Sequence, residues 1–356
     1  MTDAAVLDLA VDAADLTVAL CDIESVSGNE ARITDAVETA LRGLAHLTVD
    51  RDGDTVVART SLGRAERVVL AGHLDTVPVG GNLPCRVDGD RIHGCGTTDM
   101  KSGVAVQLRL AAHLPEPNRD VTFVFYDHEE VEAEQNGLLR VTRSHPEWLV
   151  ADFAVLMEPT NATVEGGCQG TLRADVVLTG HRAHSARSWM GSNAIHAAGE
   201  VLRRLSAYRP EEVTIDGLTY REGLNAVGIG GGVAGNVIPD ECVVSLNYRF
   251  APSKDEDEAA DVVRRLLDGF DVRIADSAPG ALPGLSHPAA AAFVAMVGHE
   301  PAPKFGWTDV ARFAALGVPA VNYGPGDPMV AHQREEYCDI APIHECERVL
   351  RAWLGG

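Results

Sequence analysis

Apolar and polar positions along this chain follow two periods in turn. Three short runs rich in β-branched and aromatic residues, Val68 to Ala71, Val121 to Tyr126 and Phe153 to Met157, read as buried strands. Helical spacing follows two of them, at about 101–113 and 134–144. Upstream, the opening residues through Leu20 show helical spacing of Val, Leu and Ala. Ser25 to Glu30 reads as a turn and N-cap leading into a second helix through about Leu44. Strands near 46–50 and 54–60 flank an Asp52-Gly53 turn. Strands that alternate with helices predict a mainly parallel sheet covered by helices, because parallel strands need long crossovers and the crossovers bury the sheet faces.

From about 169 the order changes. A strand at 171–180, a helix at 192–208, strands at 223–234 and 241–250, a helix at 254–268 and a strand at 271–276 give a βαββαβ order. That order predicts a small ferredoxin-like α+β unit. Pro279 to Gly284 reads as a return linker. Beyond it, helices at 288–298 and 310–315, a strand at 320–323 and a last helix near 342–353 resume the first pattern. The expected organisation is an α/β catalytic domain made of residues 1–168 and 283–356, interrupted by an inserted domain at 169–282.

Composition narrows the function. The chain of 356 residues is 46% apolar, enough for two folded domains. A net charge of -22 speaks against nucleic acid as a partner, since phosphates require a basic surface. It leaves room for a small anionic ligand, because nearby cations and arginines override a distant field. The seven cysteines are odd in number and scattered, with no CxxC pair, so reduced thiols are expected rather than a disulfide framework or a thiolate zinc site. The opening carries acids in place of a basic n-region, and no apolar run approaches the roughly 18 residues of a membrane span. A cytoplasmic protein without a membrane partner is expected.

The candidate chemistry stands at strand ends. His73 and Asp75 follow the first run, Asp99 follows the turn Gly94-Cys95-Gly96-Thr97-Thr98, Glu129 and Glu130 follow Tyr126, and Glu158-Pro159 follows Met157. Taken singly each has a plain reading. A strand-end histidine commonly hydrogen-bonds a neighbour, Asp99 suits a turn, and paired acids usually face water. Together they point to a metal. Two adjacent carboxylates after a run that must be buried repel each other unless a cation or a proton lies between them. His73-x-Asp75 also supplies a group to orient the imidazole ring. Gly94-x-Gly96 lacks the third glycine and the preceding strand of a dinucleotide fingerprint, so nucleotide binding is not expected. His184 and His332 carry no signal of their own.

The ordered set His73-x-Asp75, Asp99, Glu129-Glu130, Glu158-Pro159 and distal His332 resembles the co-catalytic zinc amidohydrolase, acetylornithine deacetylase and carboxypeptidase family. The resemblance runs through essentially the whole chain. Its most specific parts are Gly72-His-Leu-Asp-Thr-Val-Pro78 and Gly94-Cys-Gly-Thr-Thr-Asp-Met-Lys101. Arg182 to His196, Gly235 to Asp240, Asn247 to Pro252 and Gly306 to Pro328 resemble its actinobacterial branch that acts on succinylated diaminopimelate. The resemblance implies two zinc ions, with cobalt or manganese able to replace one. Asp99 would bridge them, His73 and Glu158 would complete one, and Glu130 and His332 the other. It also implies Glu129 as general base, Asp75 as the residue that orients the site, and a cis peptide at Asp99-Met100. His184, reaching the site of a partner subunit, would stabilise the oxyanion in a homodimer joined through the insert. Arg249, Asn236 and Thr308 would hold the acyl carboxylate, although Trp307-Thr308-Asp309 departs from the family's Gly-Thr-Ser turn.

The activity so implied is hydrolysis of N-succinyl-LL-2,6-diaminopimelate to succinate and LL-2,6-diaminopimelate, in lysine and cell-wall precursor synthesis. Acetylornithine deacetylation or dipeptide cleavage is the alternative within the family. A non-catalytic metal-binding regulator is the alternative outside it, and such a protein has no need of Glu129.

Overall fold

The strands Arg67–His73, Asp120–Tyr126 and Phe153–Leu156 are buried along almost their whole length, which is why they carry unbroken apolar runs in place of alternation. The structure is a computed structural model and describes residues 5–355. These strands form the middle of an eight-stranded sheet whose order is Thr48–Asp52, Thr55–Arg59, Asp120–Tyr126, Arg67–His73, Phe153–Leu156, Ala320–Asn322, Glu165–Gly166 and Ala302–Pro303. Neighbours are parallel from Asp120–Tyr126 through Ala320–Asn322. At the flanks, Thr55–Arg59 and Glu165–Gly166 pair antiparallel. The sheet is therefore mixed, with a parallel centre.

The chain divides into two compact units, and this sheet belongs to the first, which contains residues through 166, 283–302 and 308 onward. Segments far apart in sequence share its core. Phe293, on the helix Pro288–Val297, meets Phe153 with ring centroids 5.8 Å apart, Tyr323 at 5.3 Å and Trp353 at 4.7 Å. The helices Ala13–Cys21, Ser102–His113 and Ile340–Gly355 pack on one another.

The first helix is shorter than its periodicity predicts. It begins at Ala13, where the Asp12 side chain accepts from Ala14 N at 2.8 Å, a regular N-cap. Asp8 accepts from Ala10 N at 2.9 Å, a local turn that competes with helix in residues the spacing assigned to it. Residues 1–4 of that expectation lie outside the described residues.

The second unit contains residues 167–282 and 303–307. Its four-stranded antiparallel sheet has the order Gly223–Gly231, Glu241–Phe250, Gly170–Thr179 and Asp271–Ala278. With helices Ala194–Ala207 and Glu256–Leu266 this is the βαββαβ arrangement read from the sequence. Gly170–Thr179 and Glu241–Phe250 alternate buried and partly exposed positions, as a sheet covered on one face should. Val176, Val244 and Leu246 share the core with Val201 and Val263 of the two helices. The acid-rich stretch at 255–261 opens the second helix through a capping box between Asp255 and Glu258.

Among the features outside the expectation, two stand apart from the main sheets. One is the hairpin Glu212–Ile215 with Leu218–Arg221, whose turn residues Asp216 and Gly217 have φ of 49° and 82°, the conformation that Asp-Gly favours. The other is a three-stranded sheet of Arg86–Asp88, Arg91–His93 and Tyr337–Asp339. Each strand there has only three residues and partly exposed polar side chains, too few to set a period.

Because Phe293 comes from beyond the second unit and sits wholly within the first unit's core, Phe293→Ala is expected to cost about 3–5 kcal/mol of that unit's stability. Urea unfolding followed by tryptophan fluorescence measures it. A loss below ~1 kcal/mol would mean that this aromatic cluster does not join the late segments to the core.

Candidate metal centre

Strand register places the first groups. Gly72 pairs with Phe125 and His73 with Tyr126, while Ala71 pairs with Leu156 on the other side. His73 therefore stands level with Tyr126, and Glu158, two residues beyond Leu156, follows at the same edge. Asp127 to Glu130 continue from Tyr126. This is the carboxyl edge of the parallel strands, where open α/β sheets carry their ligands.

Asp99 arrives from elsewhere, on the turn that precedes the helix Ser102–His113. Gly96 is required in that turn: its φ is 79°, and a Cβ there would lie 2.7 Å from Thr76 Cγ2. The Asp99-Met100 peptide is cis, as the resemblance implied. His332, at φ 62°, comes from the far end of the chain.

The side chains converge. His73 Nε2 lies 3.1 Å from Asp99 Oδ1, while His332 Nε2 lies 3.3 Å from Asp99 Oδ2 and 2.9 Å from Glu130 Oε1. Among the described residues, three groups place one ligand atom from each member within 4.8 Å of the others: His73, Asp99 and Glu158; Asp99, Glu130 and His332; and His73, Glu129 and Glu130. The first two share Asp99, whose two oxygens face different histidines. Ligands about 2.0–2.1 Å from a tetrahedral ion stand ~3.3 Å apart, so these spacings suit a divalent cation as well as a hydrogen bond. The donor set favours a cation, because four carboxylates in so small a space repel one another unless positive charge lies among them.

The protonation pattern shows that need. Burial pushes Glu129 well above the usual carboxylate range, and Glu158 and Glu130 add to the effect. Burial also raises Glu130, against the hydrogen bond from His332. Asp99 moves the other way: burial would raise it, but His332 and His73 outweigh burial and hold it low. His332 is pushed up to about 11, chiefly by Asp99 and then Glu130. Protons on the imidazoles thus occupy the place that a cation would take.

Asp75 acts differently from the simplest expectation. The ring Nδ1 of His73 lies 3.0 Å from the main-chain carbonyl of Asp75 and 3.6 Å from its carboxylate. The carbonyl therefore sets the tautomer and leaves Nε2 turned toward Asp99. The buried Asp75 carboxylate accepts from Glu129 N at 3.0 Å, Glu130 N at 3.1 Å and Ser27 Oγ at 2.7 Å. It holds the turn that presents both glutamates.

The remaining candidates are distributed as follows. Thr308 lies in the first unit, buried, with its hydroxyl donating to Asn322 Oδ1 at 2.9 Å. His184, Asn236 and Arg249 belong to the second unit. His184 pairs with Val237 on a two-stranded ladder, and Ser185 N donates to the carbonyl of Asn236 at 2.9 Å, so these two exposed residues are neighbours there. His184 Nδ1 accepts from Ala186 N at 3.0 Å, which leaves the neutral ring's proton on Nε2. Arg249 lies on the strand Glu241–Phe250, level with Thr171 and Gly223.

Three supporting residues had no sequence signal that was used. Ser27 holds Asp75. Asp309, fully buried, accepts from Asn136 Nδ2 at 3.0 Å and from Arg312 Nε at 2.5 Å. Glu336 reaches the Asp99 turn, accepting from Thr98 N at 2.9 Å, and burial pushes it up to about 7. It follows Gln333, Arg334 and Glu335, which are exposed, and is itself buried.

Residues 69–355 match peptidase family M20/M25/M40. The chain belongs to that family. It is 58% identical over 353 residues to a Mycobacterium tuberculosis protein provisionally named succinyl-diaminopimelate desuccinylase, a match covering 98% of this chain and all of the relative. It is 48% identical over 359 residues to succinyl-diaminopimelate desuccinylase of Corynebacterium glutamicum, covering 98% and 97% of the two chains. Among solved structures, a Staphylococcus aureus tripeptidase matches with a TM-score of 0.76 at 20% identity, covering 95% of each chain. An M20 metallo-carboxypeptidase of Sulfolobus solfataricus matches with a TM-score of 0.76 at 15% identity. These two share the fold. Family and ligand cluster together make this M20 chain a metal-dependent hydrolase with a divalent cation as cofactor.

Cation binding should release protons. His332 retains its proton in the cation-free site up to about pH 11 and must lose it to become a ligand. Affinity is therefore expected to fall as pH falls, by about tenfold per unit for each proton displaced. Calorimetric titration in two buffers of different ionisation enthalpy counts those protons. A dissociation constant that does not change between about pH 6 and 8 would contradict this protonation pattern.

Proposed function

We propose that the chain hydrolyses N-succinyl-LL-2,6-diaminopimelate to succinate and LL-2,6-diaminopimelate, acting as a homodimeric two-zinc amidohydrolase. The observation that carries the substrate is the end-to-end similarity, 58% and 48% identical, to relatives named for that reaction. Zinc suits the donors, since imidazole nitrogen with carboxylate oxygen is a common catalytic zinc environment, though cobalt or manganese fits the same ligands. His73, Asp99 and Glu158 would hold one ion, and Asp99, Glu130 and His332 the other.

Bound there, divalent cations would supply Lewis acidity, polarising a carbonyl and making water easier to deprotonate. Glu129 would take a proton from the attacking water as its oxygen adds to the amide carbonyl carbon, and return that proton to the amine nitrogen as the C–N bond breaks. The chemistry needs a buried, unligated carboxylate that is easily protonated, and burial gives Glu129 that property. His184 donates from Nε2 to the oxyanion, in the tautomer that Ala186 N selects. We assign that histidine to the partner subunit's site, with residues 169–282 as the lid and dimerisation domain. Arg249, with Asn236 and Thr308, receives the succinyl carboxylate, for which a guanidinium fork is well suited.

Glu129→Gln should keep both metal ions and lose about 10²- to 10⁴-fold in kcat, measured by steady-state kinetics together with metal analysis. Near wild-type turnover would remove Glu129 from the reaction. His184→Ala is expected to lose about 10²- to 10³-fold in kcat with little change in substrate affinity. Faster hydrolysis of N-acetylornithine than of the succinylated substrate would overturn the proposed specificity.

A further inference from the structure

We propose that Glu336 is a positioning residue of the metal centre, clamping the turn that carries Asp99 to the same short segment that carries His332. The inference rests on reading Asp99 and His332 as ligands of one ion. Glu336 is buried, with 2% of its surface exposed, although it stands in an otherwise polar and largely exposed run. Its Oε1 accepts from Thr98 N at 2.9 Å and from Asp99 N at 3.3 Å. Two successive amides of one turn thus converge on a single carboxylate oxygen, in the manner of an anion-binding nest.

The grip is reinforced on both sides. Gly94 N donates to the main-chain carbonyl of Glu336 at 3.0 Å, and Thr98 Oγ1 donates to the carbonyl of Tyr337 at 2.5 Å. Tyr337–Asp339 then pairs with Arg91–His93 just upstream of the turn. Two ligands separated by more than two hundred positions therefore depend on one short contact.

The placement is electrostatically unfavourable by itself, since Glu336 puts a further negative charge close to Asp99. A neutral residue of similar shape would avoid that repulsion. What the carboxylate supplies is strong, charge-assisted acceptance from both amides at once, which fixes the direction of the Asp99 backbone. A shared ligand must face both ions, so small rotations of this turn weaken both sites.

Asp120 provides the comparison within the same unit. Its carboxylate accepts from Leu62 N at 2.8 Å, Arg64 N at 2.9 Å and Thr60 Oγ1 at 2.8 Å. It fastens a loop in the same manner, but at the opposite end of the strand Asp120–Tyr126, away from the ligands. Loss of Asp120 reports the cost of an unfastened loop alone.

The test is cation affinity. Cation-free full-length wild type, Glu336→Ala, Glu336→Gln and Asp120→Ala are titrated with Zn2+ against a chromophoric chelator, and melting temperatures are recorded in parallel. Glu336→Ala should weaken the poorer of two wild-type sites by about 10- to 100-fold, and Glu336→Gln, which keeps an acceptor without the charge, by less. Asp120→Ala should lower the melting temperature and leave both affinities within about twofold of wild type. Unchanged affinities in Glu336→Ala, or an equal loss in Asp120→Ala, would overturn the proposal. If Glu336→Ala does not fold, wild-type affinities in Glu336→Gln overturn it instead. A wild-type chain that binds no Zn2+ would remove the metal reading itself, and this inference with it.

Discussion

Mutual repulsion among Asp99, Glu129, Glu130 and Glu158 is the constraint on which the rest of this structure turns. Water would screen these carboxylates at the surface, but here they lie at the edge of a sheet whose central strands are sealed on both faces. The site is stable only with positive charge inside it. In the absence of a cation that charge is carried by protons on His332, His73 and the raised glutamates. A divalent cation bound among them would supply that charge in place of the protons.

Holding such a cluster requires anchors outside it, and the same device recurs three times around it. Asp75 accepts from the amides of Glu129 and Glu130, Glu336 from those of the Asp99 turn, and Asp127 fixes the start of the glutamate turn through Thr55 Oγ1 at 2.6 Å and Arg140 at 2.7 Å. In each case a buried carboxylate is satisfied by main-chain or side-chain donors and fixes a turn. Asp99, Glu129 and Glu130 stand on turns that these carboxylates fasten. His128 and His332 adopt left-handed φ of 57° and 62° within this framework, a conformation costing about 1–3 kcal/mol that persists only where the surroundings impose it.

The second unit follows different rules. Its antiparallel sheet buries one face beneath two helices, so its strands alternate and its order could be read from their spacing. His184 and Asn236 lie on an exposed ladder beside that sheet, with the tautomer of His184 already chosen by a main-chain amide.

The sequence alone determined the parallel centre of the first sheet, because Val68 to Ala71, Val121 to Tyr126 and Phe153 to Met157 are apolar without interruption and demand burial on both faces. It determined the βαββαβ order of the insert from the succession of strand-like and helical segments between turns. It also singled out the polar residues that end the buried strands, since ionisable groups placed directly after such runs need a partner. Tertiary structure decided what those residues meet. Sequence spacing could not reveal that Asp99 offers one oxygen to each of two histidines, that the Asp75 carboxylate holds the glutamate turn while its carbonyl orients His73, or that Glu336 is buried against the Asp99 amides. Those relations depend on strand register and on contacts between segments hundreds of residues apart, and local periodicity carries no information about either.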